Sequence, residues 1–374
     1  MAKRKKRGHC GNAFSFLECL ISHIVKHDAA AITTHKECMD SLTQATLGAA
    51  VAHACWHRQL GRSALLWGAA LGTLPDLDVV VYPFLDNIQK LYWHRGESHS
   101  LLFALFGSLL LGWLFCKTFW KEKLTIKRAT LGLGIIFITH YAIDVFNLYG
   151  TQLLAPFSRH GFSLGNMFII DPLYTVPLLA GVIIAGITRG KTGLRANWTG
   201  LILSSVYVLF SLGAHTYADH IFKRQLAARD IEVQASLTGA TPMNTLLWRH
   251  LARTREEIYI GYFSLIADSP EQAIRFDRVP RNAHLVQPYR GQRSLKVLEW
   301  FSQGFWVAQS REGGVTIADL RFGELRFKAN DPPDKWRYIF AWDIGDDPDR
   351  LIPQPRDFDR FGEAIDVLWR QLTE

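Results

Sequence analysis

Between about residue 64 and residue 218 the chain carries apolar runs of roughly 16 to 22 residues, separated by short polar stretches. A helix needs about 20 apolar residues to cross a hydrocarbon core. The segments 64 to 82, 99 to 117, 128 to 149, 167 to 188 and 198 to 218 are therefore predicted to span a bilayer, with 42 to 56 a shorter, more amphipathic helix. After residue 219 no such run recurs, and the pattern turns to alternation. There "EEIYIGYFSLI", "GFWVAQS", "GVTIADLRFG" and "WRYIFAWDI" predict strands. "TPMNTLLWRHLART", with Thr241 as cap and Pro242 at the first helical position, and "FGEAIDVLWRQL" predict helices. The expected fold is a polytopic α-helical membrane bundle over residues 39–218, followed by a C-terminal soluble α+β domain over residues 219–374. Residues 1–38 open with a basic run, are broken by His23, Lys26, His27 and Asp28, and lack a signal-peptide core. They read as a poorly ordered extension ahead of the fold-like start at Met39.

The formal net charge of +8 is placed where it orients a membrane protein. Lys117, Lys121, Lys123, Lys127 and Arg128 share one connection, and Arg189, Lys191 and Arg195 another, with two spans between them. Both loops are expected on the cytoplasmic side. Residues 83–98, 150–166 and everything after 219 then fall outside, in the periplasm. No basic stripe interleaved with aromatics runs along the chain, which argues against a nucleic-acid partner. The five cysteines, Cys10, Cys19, Cys38, Cys55 and Cys116, form no C-x-x-C pair and signal neither a zinc–thiolate site nor a disulfide framework.

An ionisable side chain inside a spanning segment is costly unless paired or hydrated, so each one is a functional hypothesis. Pro75 should break the span "LGTLPDLDVVVY" and leave Asp76 and Asp78 near its outer end. His140 and Asp144 in "FITHYAIDVFNLYG" are four apart and share a helix face, which Asn147 roughly continues. "YWHRGESHSLL" adds His94 and His99 around Gly96, which would allow the tight turn that aims both rings inward. Each motif has a plain alternative: a hydrogen-bonded pair for His140 and Asp144, a capped helix break for Asp76 and Asp78, a surface pair for Arg95 and Glu97. Their convergence on one leaflet favours a divalent metal, since imidazole and carboxylate together suit Zn²⁺, Mn²⁺ or Fe²⁺. His53, His57, Asp171, His215 and His220 carry ordinary loop or interface readings, Asp171 before Pro172 marking the start of a span.

"MDSLTQATLGAAVAHA", "LWGAALGTLPDLDVV", "HRGESHSLLFALF" and "THYAIDVFNLYGTQLLAPFS" resemble, in that order, the bacterial membrane-bound metal-dependent hydrolase family of YdjM type, also described as LexA-binding inner-membrane-associated hydrolases. The resemblance covers about residues 39 to 180, and the tail is similar to that of longer members. It implies Asp76, Asp78, His94, His99, His140 and Asp144 as metal ligands, zinc first, with Arg95 and Gln152 near the substrate. It also implies a multi-pass inner-membrane location and an association with LexA. The chain departs from its relatives at His53, where they tend to carry Glu. The expected activity is hydrolysis of an ester or phosphoester in a lipid or lipid-linked substrate at the outer face, with Asp78 or His99, whichever is not a ligand, as acid or base. The other reading is a non-enzymatic scaffold or regulator with a structural metal.

Overall fold

Helices carry the first half of the chain and two antiparallel sheets the second. The computed structural model describes residues 37–374 except 189, 327, 329–330 and 356–360, so the expectation for residues 1–38 lies outside the described residues apart from its last two. The helices are α1 Glu37–Leu60, α2 Ser63–Gly72, α3 Asn87–Trp93, α4 Leu101–Lys117, α5 Ile126–Phe146, α6 Pro172–Ile187 and α7 Lys191–Ala227, with 3₁₀ segments at Pro75–Phe84 and Glu97–His99. Among the described residues, α5 and α7 are long and apolar enough to cross a membrane. The number rises to four if α2 with Pro75–Phe84, bent by 45°, and Asn87–His99 with α4, bent by 55°, each make one span.

The sequence predicts five spans besides the shorter helix at 42 to 56; the helices that form differ from them for local reasons. The segment 64 to 82 is not one helix, because Pro75 ends α2 and opens the 3₁₀ segment. The segment 167 to 188 shortens to the 16 residues of α6, with Asp171 as its cap accepting from Leu173 N at 3.0 Å. The boundary expected at 218/219 falls inside α7, a 37-residue helix.

The helices pack through small residues and turn large apolar ones outward. In α4 the buried positions are Ala104, Ser108 and Gly112, while Leu105, Phe106, Leu109, Leu110 and Trp113 are exposed. That inverts the pattern of a helix in water and is the pattern of one in lipid. α6 and α7 meet the same way: a methyl on Gly181 would lie 2.7 Å from Ala196 O, and one on Gly200 2.7 Å from Pro177 O. The basic segments gather at one end, since Trp56 Nε1 donates to Arg128 O at 3.2 Å and Arg62 Nη1 to Gly186 O at 2.7 Å.

The second half forms two four-stranded antiparallel meanders: β1 Ala235–Ala240, β2 Leu247–Arg253, β3 Glu257–Ser264 and β4 Phe276–Pro280, then β5 Trp306–Arg311, β6 Gly314–Leu325, β7 Arg337–Ile344 and β8 Ile352–Pro353. Helices α8 Arg293–Phe301 and α9 Phe361–Thr373 complete it. The sheets share a core in which Leu251, Ile258 and Ile260 meet Phe305, Val307 and Leu320. The helix expected over "TPMNTLLWRHLART" is instead a turn and a strand. Asn244 Oδ1 accepts from Leu246 N and Leu247 N at 2.9 and 2.8 Å, closing the turn, and β2 follows. Residues 247–252 are all buried, on both faces of the sheet, so the strand shows no alternation to read.

The end of α7 docks on β1 and β2 through Phe222, which stacks on His250 with ring centroids 4.8 Å apart. Thr238 Oγ1 donates to Asp219 Oδ1 at 2.8 Å and lies 2.7 Å from His250 Nδ1, so that nitrogen carries the proton. His250 Nε2 is buried without a partner, and burial pushes the ring's pKa down to about 4. A histidine lowered on folding contributes its full stability above the unfolded value of 6.5 and loses it as pH falls toward 4. The loss across that window should approach ~3 kcal/mol. Thermal unfolding in detergent at pH 7.5 and pH 4.5 should show it, and His250→Phe should flatten the difference; an equal pH response in both proteins would sink the assignment.

Candidate metal centre

The buried stripe of α5, which includes Leu133, Ile136 and Phe137, continues directly into His140, Tyr141 and Asp144. The same face that packs the bundle thus carries two ionisable groups. Facing it, α1 and α2 are drawn together by Gly48, Gly68 and Gly72: a methyl on Gly48 would lie 2.3 Å from Gly68 O and 2.7 Å from Gly72 Cα. This close approach sets Gly72 O 2.7 Å from His140 Nδ1 and Gln44 Nε2 3.1 Å from Asp144 Oδ1. Past Gly72 the break at Pro75 turns Asp76 inward. The turn between α3 and α4 delivers His99, but its left-handed residue is Arg95 at φ 52°, not Gly96 at −92°. Gly96 is needed for space, since a methyl there would meet Trp93 O at 2.9 Å.

Four donors converge: Asp76, His99, His140 and Asp144, with one ligand atom of each within 4.8 Å of the others. His99 Nε2 lies 3.4 Å from Asp76 Oδ1 and 3.2 Å from Asp144 Oδ2. His140 Nε2 lies 3.4 Å from both, and the two imidazole nitrogens are 3.1 Å apart. Donors held tetrahedrally at about 2.0–2.1 Å from a metal stand about 3.3–3.4 Å apart. Because a carbonyl only accepts, Gly72 O fixes the proton of His140 on Nδ1 and leaves the Nε2 lone pair of the neutral ring facing the other donors. Asp144 Oδ2 is fully buried, accepts no hydrogen bond and points into the same space. A cation between these four atoms would meet the His140 Nε2 lone pair and both carboxylate oxygens directly.

Around the four, Arg95 is buried, its Nη2 3.0 Å from Asp144 Oδ1 and its Nη1 donating to Asn147 Oδ1 at 3.1 Å. It offsets the charge of the deepest carboxylate. Asp78 stands beside the group rather than in it, its Oδ2 2.9 Å from Arg95 N, 3.4 Å from His94 Nδ1 and 3.9 Å from His99 Nδ1. His94 is 25% exposed and packs edge-on against Tyr149. Gln152 is buried and spans the turn, donating to Tyr92 O at 2.8 Å and accepting from Arg159 Nη1 at 3.1 Å. Of the six candidate ligands, then, four come together, while Asp78 and His94 form an adjoining pair. His53 lies elsewhere, about 13 Å along α1 from Gln44, lining a recess with His57, Arg62 and Lys191.

The β region holds these elements from outside. Arg321, fully buried and paired with Asp319 at 2.7 Å, donates to Leu148 O and Tyr149 O at 3.1 and 3.2 Å. It sits in the stretch of β6 where register shifts between Asp319 and Glu324, a bulge that re-aims side chains. Trp300 stacks on Tyr92 at 4.7 Å and donates to Arg159 O at 2.7 Å.

Residues 39–220 match the YdjM inner membrane protein family. The YdjM match takes in all four donors, Asp78, His94, Arg95 and Gln152, and ends within α7. The chain is also similar to the uncharacterized protein YfhP of Bacillus subtilis (strain 168), 26% identical over 189 residues. That alignment covers 50% of this chain and 54% of YfhP, so it spans about half the length of that curated relative. No solved structure matches the chain.

Gln44, the Gly72 carbonyl, Asn147 as the acceptor for Arg95, and Arg321 were not singled out as site groups from the sequence. Gln44 in the amphipathic helix and Asn147 on the His140–Asp144 face were the available signals; a carbonyl and a residue 177 positions downstream of Asp144 gave none. If the four donors hold a metal, Asp144→Asn and His140→Gln should each remove most of the divalent metal from detergent-purified protein, with elution volume unchanged. Metal content equal to the parent in both variants would remove them from the coordination sphere.

Proposed function

We propose that the chain is a membrane-bound metal-dependent hydrolase acting on an ester or phosphoester of a lipid or lipid-linked substrate at the outer face of the inner membrane. The observation that carries this reading is the four-donor group, with Asp144 Oδ2 buried and facing both imidazoles, set beside a second carboxylate–imidazole pair. Zinc suits two imidazoles and two carboxylates at these separations. Such an ion, when bound, supplies a water acidic enough to act as nucleophile near neutral pH and polarises the scissile bond.

The chain's own groups divide the remaining work. Asp76, 23% exposed on its side chain, is the one donor of the four with an open flank, so substrate would approach there. Asp78 and His94 serve as the acid–base pair, His94 being the partly exposed member and Asp78 holding its ring. Arg95 is buried against Asp144, so an anionic substrate group would look to Arg159, whose side chain is 38% exposed and would exchange its pairing with Glu97. The face follows from the positive-inside rule. The end bearing Arg62, Lys123, Arg128 and Lys191 is cytoplasmic on this reading, and the donors with the β region lie on the other side.

A structural metal is the second reading, favoured by one observation: four protein donors already fill a tetrahedron, and structural zinc sites are closed. Against it, structural sites draw mostly on cysteine, and Asp76 sits on a short, partly exposed 3₁₀ segment. Asp78→Asn separates the two. On the enzymatic reading it keeps its metal and loses about 100-fold or more in turnover of chromogenic phosphodiesters and carboxylic esters presented in mixed micelles. Full metal occupancy with no hydrolysis by the parent protein across both substrate types would leave the structural reading standing.

Orientation has its own test. In a cysteine-free chain, single cysteines at Ser158 and Glu312 should react with an impermeant thiol reagent on intact cells, and one at Thr192 should not. The reverse pattern would move the centre to the cytoplasmic face.

A further inference from the structure

A narrow cleft lies between the loops that flank α5 and α6 and the inner wall of the β region. Its cavity volume is about 70 Å³. Its lining is mostly apolar and includes Leu148, Phe168, Ile169, Leu237, Ile365 and Leu368. Asn147, the acceptor for Arg95, also lines it, so the cleft and the donor group share a wall.

The depth of this cleft relative to α7 is what gives it meaning. Tyr207 Oη donates to Asp171 Oδ2 at 2.7 Å and lies 2.9 Å from Thr245 Oγ1. Asn166 Nδ2 donates to Ser211 Oγ at 2.7 Å, and Ala240 N to Gly165 O at 2.9 Å. The cleft's lining at Gly239, Ala240, Thr241 and Pro242 is therefore tied to the turns of α7 around residues 207–211. On the outer surface of α7, Val206, Leu209, Phe210 and Tyr217 are exposed. The cleft is therefore level with the last exposed apolar turn of α7, Val206 to Phe210, beyond which Gly213 and Thr216 are the exposed residues before Tyr217. Its neighbours Met243 and Trp369 are exposed as well.

We propose that this cleft takes one acyl chain of a membrane amphiphile and so places that molecule's headgroup linkage at the donor group. As a substrate-tail site it rests on the hydrolase reading; as a lipid-binding cleft it does not. A narrow, mostly apolar slot level with exposed apolar residues of α7 suits a linear hydrocarbon chain, and a fused ring or a folded peptide needs more width.

The test is photocrosslinking of the full chain in nanodiscs of phosphatidylglycerol and phosphatidylethanolamine doped with a phospholipid carrying a diazirine near its chain terminus, with adducts mapped by mass spectrometry. Adducts are expected on Phe168, Ile169, Leu237 or Leu368 as well as on the α7 surface. Ile365→Trp, which fills the cleft from α9, should lower the cleft adducts about tenfold and leave those on Leu203 and Phe210 unchanged. Leu237→Trp does the same from the sheet side should the first variant not fold. Adducts confined to the α7 surface in the parent protein, or cleft adducts unaffected by both fillings in folded protein, would overturn the proposal. Labelling needs neither metal nor turnover, so cleft adducts that persist in Asp144→Asn, in a protein found to hydrolyse nothing, support the cleft while removing the enzyme reading.

Discussion

The arrangement depends on keeping one carboxylate, Asp144, buried among helices. An isolated carboxylate in such surroundings costs several kcal/mol even after relaxation. Arg95 at 3.0 Å and Gln44 at 3.1 Å satisfy its Oδ1 and leave Oδ2 to the imidazoles. Each neighbour then has to be held in turn. Arg95 needs a left-handed backbone and the acceptor Asn147, Gln44 needs the glycine approach of α1 to α2, and His140 needs the Gly72 carbonyl that the same approach supplies. The glycines, the Pro75 break and the α3–α4 turn answer to a single electrostatic problem.

That problem also accounts for the weight of structure beyond the helices. Asn147 begins a loop with no repetitive backbone bonding of its own, and its geometry is imposed from β6 by Arg321 on the Leu148 and Tyr149 carbonyls. Arg321 is itself buried and paired with Asp319, so the clamp is charge-balanced and dry. Truncating it would leave two carbonyls and a carboxylate unsatisfied, a larger penalty than the bonds it makes.

Much of this was legible in the sequence because the cost of a charge in an apolar segment is local. Pro75, the four-residue spacing of His140 and Asp144, and the polar turn before Leu101 each break a pattern that can be read from the neighbours alone. What could not be read depends on distant surfaces. β2 hides its alternation because both faces are covered, and the membrane helix of 198 to 218 gives no hint that it continues to Ala227, where Ile221 and Phe222 meet Trp248 and Phe263. The division of the six candidates into four donors and an Asp78–His94 pair turns on which edge of the His99 ring each carboxylate faces, Nδ1 for Asp78 and Nε2 for Asp76 and Asp144, which spacing along a chain does not encode.

α7 runs from Lys191 to Ala227 without a break, about 55 Å of rod. Its early turns carry exposed apolar residues and its last turns form part of the core under β1 to β3. A rod of this kind offers no hinge between its two ends. Any tilt of the helix within a bilayer would have to carry the packed strands β1 to β3 with it.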